Sequence, residues 1–369
     1  MPSNVYFTDF HTTAAENQLQ KLKRLMLTAG ARQIDWKGKF VAIKIHFGEP
    51  GNLAFLRPNY ARAVADVIKE LGGKPFLTDC NTLYVGGRKN ALEHIESAYQ
   101  NGFTPYTTGC HILIADGLKG NDEVAVPVQG GDYIKEAKIG RALMDADIVV
   151  SLTHFKCHEN AGIGGAIKNI GMGGGSRAGK MEMHAAGKPL VSNPSACIGC
   201  GSCRRICAHD APVMEGRTVT RIDHTKCVGC GRCIAVCPMD VIEPQYDAAF
   251  DVLNCRMAEY AKAVLDGRPA FHLSLVMDVS PNCDCHAEND VPIIPDVGMF
   301  ASLDPVALDQ ACADACAKMP VLAGSQADKP RQPGQDLFAA VHDTTNWRVQ
   351  TVHAKKIGLG DDAYQLIKI

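Results

Sequence analysis

ADIVVSLTHF, residues 146–155, is a nearly unbroken apolar, β-branched run that ends on a histidine and an aromatic. A strand covered on both faces reads as such a run, and strands of that kind belong to parallel sheets flanked by helices. The flanking text alternates strand and helix as this sheet requires. FVAIKIHF (40–47) precedes PNYARAVADVIKELGG, with Pro58 at a helix start and Gly72 past its end. KPFLTD (74–79) precedes KNALEHIESAYQNG, closed by Gly102, and HILIADG and EVAVPV read as further strands. Downstream, DAAFDVLNCRMAEYAKAVLDG predicts a helix, RPAFHLSLVMDV a strand, and DPVALDQACADACAKM a helix with Asp304 as N-cap and Pro305 at its first position. A helical stretch around NWRVQTVHAKKIGLG and the strand YQLIKI follow. The alternation predicts an α/β fold, a largely parallel sheet with flanking helices.

The 369 residues are 46% hydrophobic, enough for sizeable cores, and 38 Lys+Arg stand against 40 Asp+Glu. With no polybasic run, nucleic acid and anionic membranes are not expected as partners. The first residues lack the apolar core of a secretory signal, and no apolar stretch reaches membrane-spanning length. A cytoplasmic protein is expected. Its sixteen cysteines then point to metal ligation rather than to disulfides.

Eight of those cysteines form two echoing runs, CIGCGSCRRICAHDAP (197–212) and CVGCGRCIAVCPMDVI (227–242). Each is C-x2-C-x2-C-x3-C, the spacing of bacterial two-cluster ferredoxins, in which the fourth cysteine of a run serves the other cluster. Carried over, Cys197, Cys200, Cys203 and Cys237 hold one [4Fe–4S] cluster, and Cys227, Cys230, Cys233 and Cys207 the second. Four-cysteine zinc sites use two separate C-x2-C pairs instead. Pro238 follows Cys237 as expected, whereas Ala208 follows Cys207. Linker-like text, HAAGKPLVSNPSA and IEPQYDAA, brackets the block. The expected organisation is an α/β domain in two parts, 1–187 and 245–369, interrupted by a small α+β ferredoxin-like insert, 188–244.

Five predicted strand ends carry polar or ligating residues. They are His46 and Glu49; Asp79, Asn81 and Thr82; Asp116; His154, Lys156, Cys157, His158 and Glu159; and Asp278, Cys283, Cys285 and His286. Ligands of open α/β sheets bind outside the carboxyl ends of the strands, so a site is expected there. GIGGAIKNIGMGGGSRAGK (162–180) is not a nucleotide P-loop, because Met181 stands where a Ser or Thr should bind magnesium. Two readings of it stay open: a helix start holding an anion with Lys168 and Arg177 nearby, or close packing on the sheet. Cys80, Cys110 and Cys255 read as buried small residues, and Cys312 and Cys316 as core on one helix face. Cys283, Cys285 and His286, with Cys157 and His158, are candidates for a metal or a further cluster.

Taken together, IKIHFGEPGN, TDCNTLY, HFKCHENAGIGGAIKNIGMGGGSRAGK, the two cysteine runs, NCDCH and PDVGMFASLDPVALDQA resemble iron–sulfur centre proteins of the domain-of-unknown-function 362 type. The resemblance implies an α/β domain carrying an inserted two-cluster module, and no settled reaction. In relatives of that type glycine stands where this chain has Cys157, and cysteine often lies near Gly174.

The expected function is a redox protein of anaerobic character. The ferredoxin-like relay passes electrons from a redox partner protein to a small-molecule substrate or metal at the strand ends. His46, Glu49, His154, Lys156 and His158 are the candidates for proton delivery and orientation, since reduction near neutral pH needs a positioned acid. Two rivals remain: a non-catalytic carrier or assembly protein that docks a redox partner, and a non-redox metal site with structural clusters. Convergence of the strand ends on a closed pocket separates the first reading from the carrier.

Overall fold

The run that opens the sequence analysis is a strand at Ile148–His154, buried at every position. It sits in the middle of an eight-stranded sheet. The computed structural model describes residues 2–84, 86–184, 187–245, 249–330 and 335–369. In chain order the sheet strands are β1 (Ser3–Thr8), β2 (Phe40–Lys44), β3 (Lys74–Asp79), β4 (Ile112–Ile114), β5 (Ile148–His154), β6 (Ala270–Val276), β7 (Gly298–Ser302) and β8 (Tyr364–Lys368). Their spatial order is β8-β1-β7-β6-β5-β2-β3-β4. Only β7 runs against the others, pairing antiparallel with both β1 and β6.

The chain steps from β2 out to β3 and β4 at one edge, then returns to lay β5 on the other side of β2. This reversal opens a crevice beyond the carboxyl ends of β2 and β5. The registers bring those ends level: Lys44 pairs with both Thr78 and Ser151, and His154 with Leu275.

Side chains alternate across β5 as the two-residue period dictates. Ile148, Val150 and Leu152 join the core under the helices Gln18–Thr28 and Pro58–Glu70. Val149 faces the opposite core, which the helix Phe250–Leu265 covers. EVAVPV does form a strand (Glu123–Pro127), but it pairs with Glu136–Gly140 outside the sheet.

The glycine-rich stretch resolves into close packing. The helix Ala166–Gly174 lies against Phe250–Leu265 so tightly that a Cβ on Gly171 would stand 2.1 Å from the Met257 carbonyl oxygen. The helix start holds no anion from outside: Asp309 accepts from Ala166 N–H (2.7 Å) and Ile167 N–H (2.9 Å). Gly171→Ala should therefore destabilise the protein by about 1–3 kcal/mol, read as a lower denaturation midpoint. An unchanged midpoint would mean the helices can separate at little cost.

Between residues 188 and 245 the chain forms two small antiparallel pairs, Pro189–Val191 with Ile242–Pro244 and Pro212–Glu215 with Thr218–Ile222. Two short helices, Ser202–Ile206 and Arg232–Ala235, accompany them. The backbone repeats itself thirty residues apart. Gly199 and Gly229 have φ of 68° and 73°, Gly201 and Gly231 67° and 65°, and Asp210 and Asp240 49° and 51°. Parts of the expected linkers, 185–186 and 246–248, lie outside the described residues.

Candidate active site at the carboxyl ends of the sheet

Four of the five strand ends converge on one cavity of about 830 Å³. The end of β2 contributes Lys44, His46 and Glu49, and the β3 loop Asp79, Thr82, Leu83 and Arg88. After β5 come Lys156, His158 and Glu159, then Lys168 from the helix Ala166–Gly174; after β6 come Cys285 and His286. Asp116, beyond β4, does not line it. Its carboxylate accepts from the Asn81 backbone (2.9 Å) and side-chain amide (2.8 Å), and burial pushes it up to about 6. Asp278 is also outside, and Arg57 approaches its carboxylate only to 3.8 Å.

On the β2–β3 side the organising residue is Arg88, which sequence reasoning missed. It is fully buried and spans Glu49 (Nε to Oε2, 2.8 Å), His46 (Nη1 to Nε2, 2.9 Å), Asp79 (3.8 Å) and the Tyr84 hydroxyl. Glu49 also accepts from Gly87 N–H. A buried carboxylate with two such partners is satisfied as an anion. Burial first, and Arg88 second, push His46 well below the ordinary imidazole value. His46 is thus a neutral acceptor, not the proton donor expected of it. Beside it Lys44 pairs with Asp79 (2.9 Å) and donates to Asn169 (2.9 Å). A lysine inside the apolar run FVAIKIHF was the signal for that buried pair.

Past β5 the two-residue period continues through a short strand, Lys156–His158. Lys156 and His158 face the cavity, so Cys157 must face away. It packs with Phe155, Ile163, Cys312 and Cys316, and burial pushes its thiol up. Cys157 therefore leaves the expected metal set. His154 also differs from expectation. Its Nδ1 meets Asp284 Oδ1 (2.8 Å) and its Nε2 meets the Met277 carbonyl (2.8 Å), so both nitrogens are taken behind the cavity wall. It is a positioning residue for Asp284.

Asp284 joins three strand ends. Its carboxylate holds His154 and Lys156 (3.0 Å), and its carbonyl accepts from Glu49 N–H (2.8 Å). Burial opposes this charge, but His154 and Lys156 outweigh it and hold the carboxyl below the usual range. With Asp284 fixed, the neighbours on either side, Cys283 and Cys285, approach His158. A ring nitrogen of His158 and the two sulfurs lie within 4.8 Å of one another.

Lys168 Nζ stands 3.3 Å from Cys283 Sγ. The hydrogen bond from Cys285 holds the Cys283 thiol well below its ordinary value, and the same bond pushes Cys285 up. Burial lowers His158 to about 4. His286 goes the other way, raised to about 9 by its bond to Glu159 (3.2 Å). At neutral pH the cavity thus holds a protonated His286 beside neutral His46 and His158.

The two cysteine runs gather in crossed sets. Burial raises Cys203, with Cys237, Cys197 and Cys200 as its thiol neighbours. Burial raises Cys233 to about 12, with Cys230, Cys227 and Cys207 as neighbours. Leu83 lines the cavity and belongs to the same buried cluster as Cys203, Cys233 and Cys237. Lys89 donates to the Cys237 carbonyl (3.2 Å) and pairs with Asp240, one residue along from Arg88.

Fold and site together define an α/β protein with a strand-end cavity, one of whose lining residues, Leu83, belongs to the buried cluster of a cysteine-rich segment. The chain belongs to the family described as domain of unknown function (DUF362), whose model matches residues 41–314. It is 28% identical over 127 residues to the thylakoid-associated protein sll1697 of Synechocystis sp., over 33% of this chain and 34% of that protein. The match thus spans about a third of that relative's length. Among solved structures it is similar to the lactate racemase apoprotein of Thermoanaerobacterium thermosaccharolyticum (13% identity, TM-score 0.39, 78% of this chain and 54% of that one). A Thermotoga maritima protein is similar at 13% identity, with a TM-score of 0.40 over 84% of this chain and 59% of its own. No helix among the described residues is long and apolar enough to cross a membrane.

Proposed function

We propose that this is a cytoplasmic iron–sulfur oxidoreductase. In this reading residues 188–244 act as a ferredoxin-like module, inserted between 1–187 and 245–369, that takes electrons from a redox partner protein. The cavity receives a small-molecule substrate. The observation that carries the reading is a shared residue: Leu83 lines the cavity and belongs to the buried cluster that contains Cys203, Cys233 and Cys237.

The donor sets suit two cubane clusters, one for Cys197, Cys200, Cys203 and Cys237 and one for Cys227, Cys230, Cys233 and Cys207. In each, four thiols neighbour one another in the crossed arrangement, and left-handed glycines at matching positions let each loop wrap inwards. When bound, such clusters supply one-electron transfer. The chain's own residues do the rest. Lys89 ties the Cys237 backbone to the cavity wall, and Arg88 orients Glu49. His286, charged at neutral pH, and Lys156 are placed to deliver protons. Convergence of four strand ends on one cavity favours this reading over a docking carrier.

Iron and sulfide analysis after anaerobic purification tests it. A brown protein with about eight irons is expected. A colourless protein that holds stoichiometric zinc and takes up no iron on reconstitution would end it.

A further inference from the structure

We propose that His158, Cys283 and Cys285 form a site for one soft divalent transition-metal ion, of the zinc(II) class, in the wall of the cavity. This deepens the reading of the cavity as a substrate site and does not depend on the clusters beside it.

Three observations converge. First, the donors are gathered: one nitrogen and two sulfurs within 4.8 Å, from segments more than a hundred residues apart. Imidazole with thiolates is the donor set that zinc takes, and three protein ligands leave a fourth position for substrate. His158 and Cys285 both line the cavity, so that position opens where a substrate would sit. Second, the surroundings are built. Cys283 is fully buried, and Lys168 donates to its sulfur at 3.3 Å. A donor behind a ligating sulfur orients it, as outer partners of metal ligands do. Asp284, between the two cysteines, is locked by His154 and Lys156. Third, a second group that could hold an ion, Glu159, Cys285 and His286, is less free. His286 has Glu159 (3.2 Å) on one nitrogen and Glu288 (3.3 Å) on the other, whereas His158 accepts from the Asn160 (3.1 Å) and Ala161 (3.2 Å) N–H groups on Nδ1 alone, which leaves Nε2 for a metal. Glu159 Oε2, buried and accepting no hydrogen bond among the described residues, stands 3.5 Å from His158 Nδ1, behind the nitrogen left for the metal.

The test uses the full-length chain, reconstituted anaerobically with iron and freed of loose metal by a chelator. Cobalt(II) is the probe, read by its thiolate-to-cobalt absorption. About one equivalent beyond the cluster iron is expected to bind, and added zinc(II) should displace it. Cys285→Ser should abolish the band, and Lys168→Met should weaken binding by about 10–100-fold, both with unchanged iron content. Cys157→Ala should leave the band intact. The absence of a band, or one that survives Cys285→Ser, would overturn the proposal, because the cobalt would then sit among other cysteines. Iron counted on the same samples separates the two ideas. In a protein that takes up no iron, a cobalt band that Cys285→Ser abolishes removes the relay and leaves this site standing, and one that Cys285→Ser spares overturns it.

Discussion

Asp284→Asn is expected to destabilise the protein by about 3–5 kcal/mol, the usual cost of removing one partner from a buried charge network. The substitution keeps the shape but removes the anion that holds both His154 and Lys156 out of water. For a chain of this size that corresponds to a fall in the thermal midpoint of roughly 4–6 °C. The pH dependence has a definite sign. The folded carboxyl lies below its ordinary value, so its contribution is fully present above the unfolded value of about 3.9 and is lost only as pH falls below it. The gap between wild type and variant should therefore stay level from about pH 5 to 8. A gap that closes as pH falls through that window would show that the carboxylate is not held this way.

Cys203→Ser is expected to cut bound iron from about eight to about four per chain. Cys203 is the most buried of its set and neighbours Cys237, Cys197 and Cys200. Its loss should leave the set of Cys207, Cys227, Cys230 and Cys233 able to assemble. Iron, acid-labile sulfide and visible absorbance should fall together to about half, with far-ultraviolet circular dichroism preserved. Unchanged iron would remove Cys203 from the ligands. Loss of all iron in a protein that stays folded would mean that the two sets do not assemble independently.

Several features were legible early because they are local. The two-sided apolar run at 146–155 implied a covered parallel strand, and β5 is one. The glycine and proline punctuation located the helices around it. The placing of His, Cys, Asp and Glu after strands implied a site at the carboxyl edge, and four of those five ends line the cavity. Cys312 and Cys316 read as core and are core.

What stayed hidden depended on partners distant in sequence. The strand β7, five residues long and buried throughout, has no alternation to betray it, and its reversed direction follows only from pairing with β1 and β6.

The sequence by itself determined the α/β class, the sheet edge that carries the site and the two four-cysteine spacings. Each is written in short-range periodicity or spacing, which the backbone's geometry turns directly into structure. Tertiary structure alone decided which side chains share the cavity. Cys157 and His158 are adjacent, yet a strand sends them to opposite faces, so one became core and the other a candidate ligand. Lys168 reaches Cys283 across 115 positions, and Asp309 caps a helix start 143 positions away. A buried charge or an unpaired N–H must find a partner wherever the fold brings one within about 3 Å, and a linear sequence does not say which residue that will be.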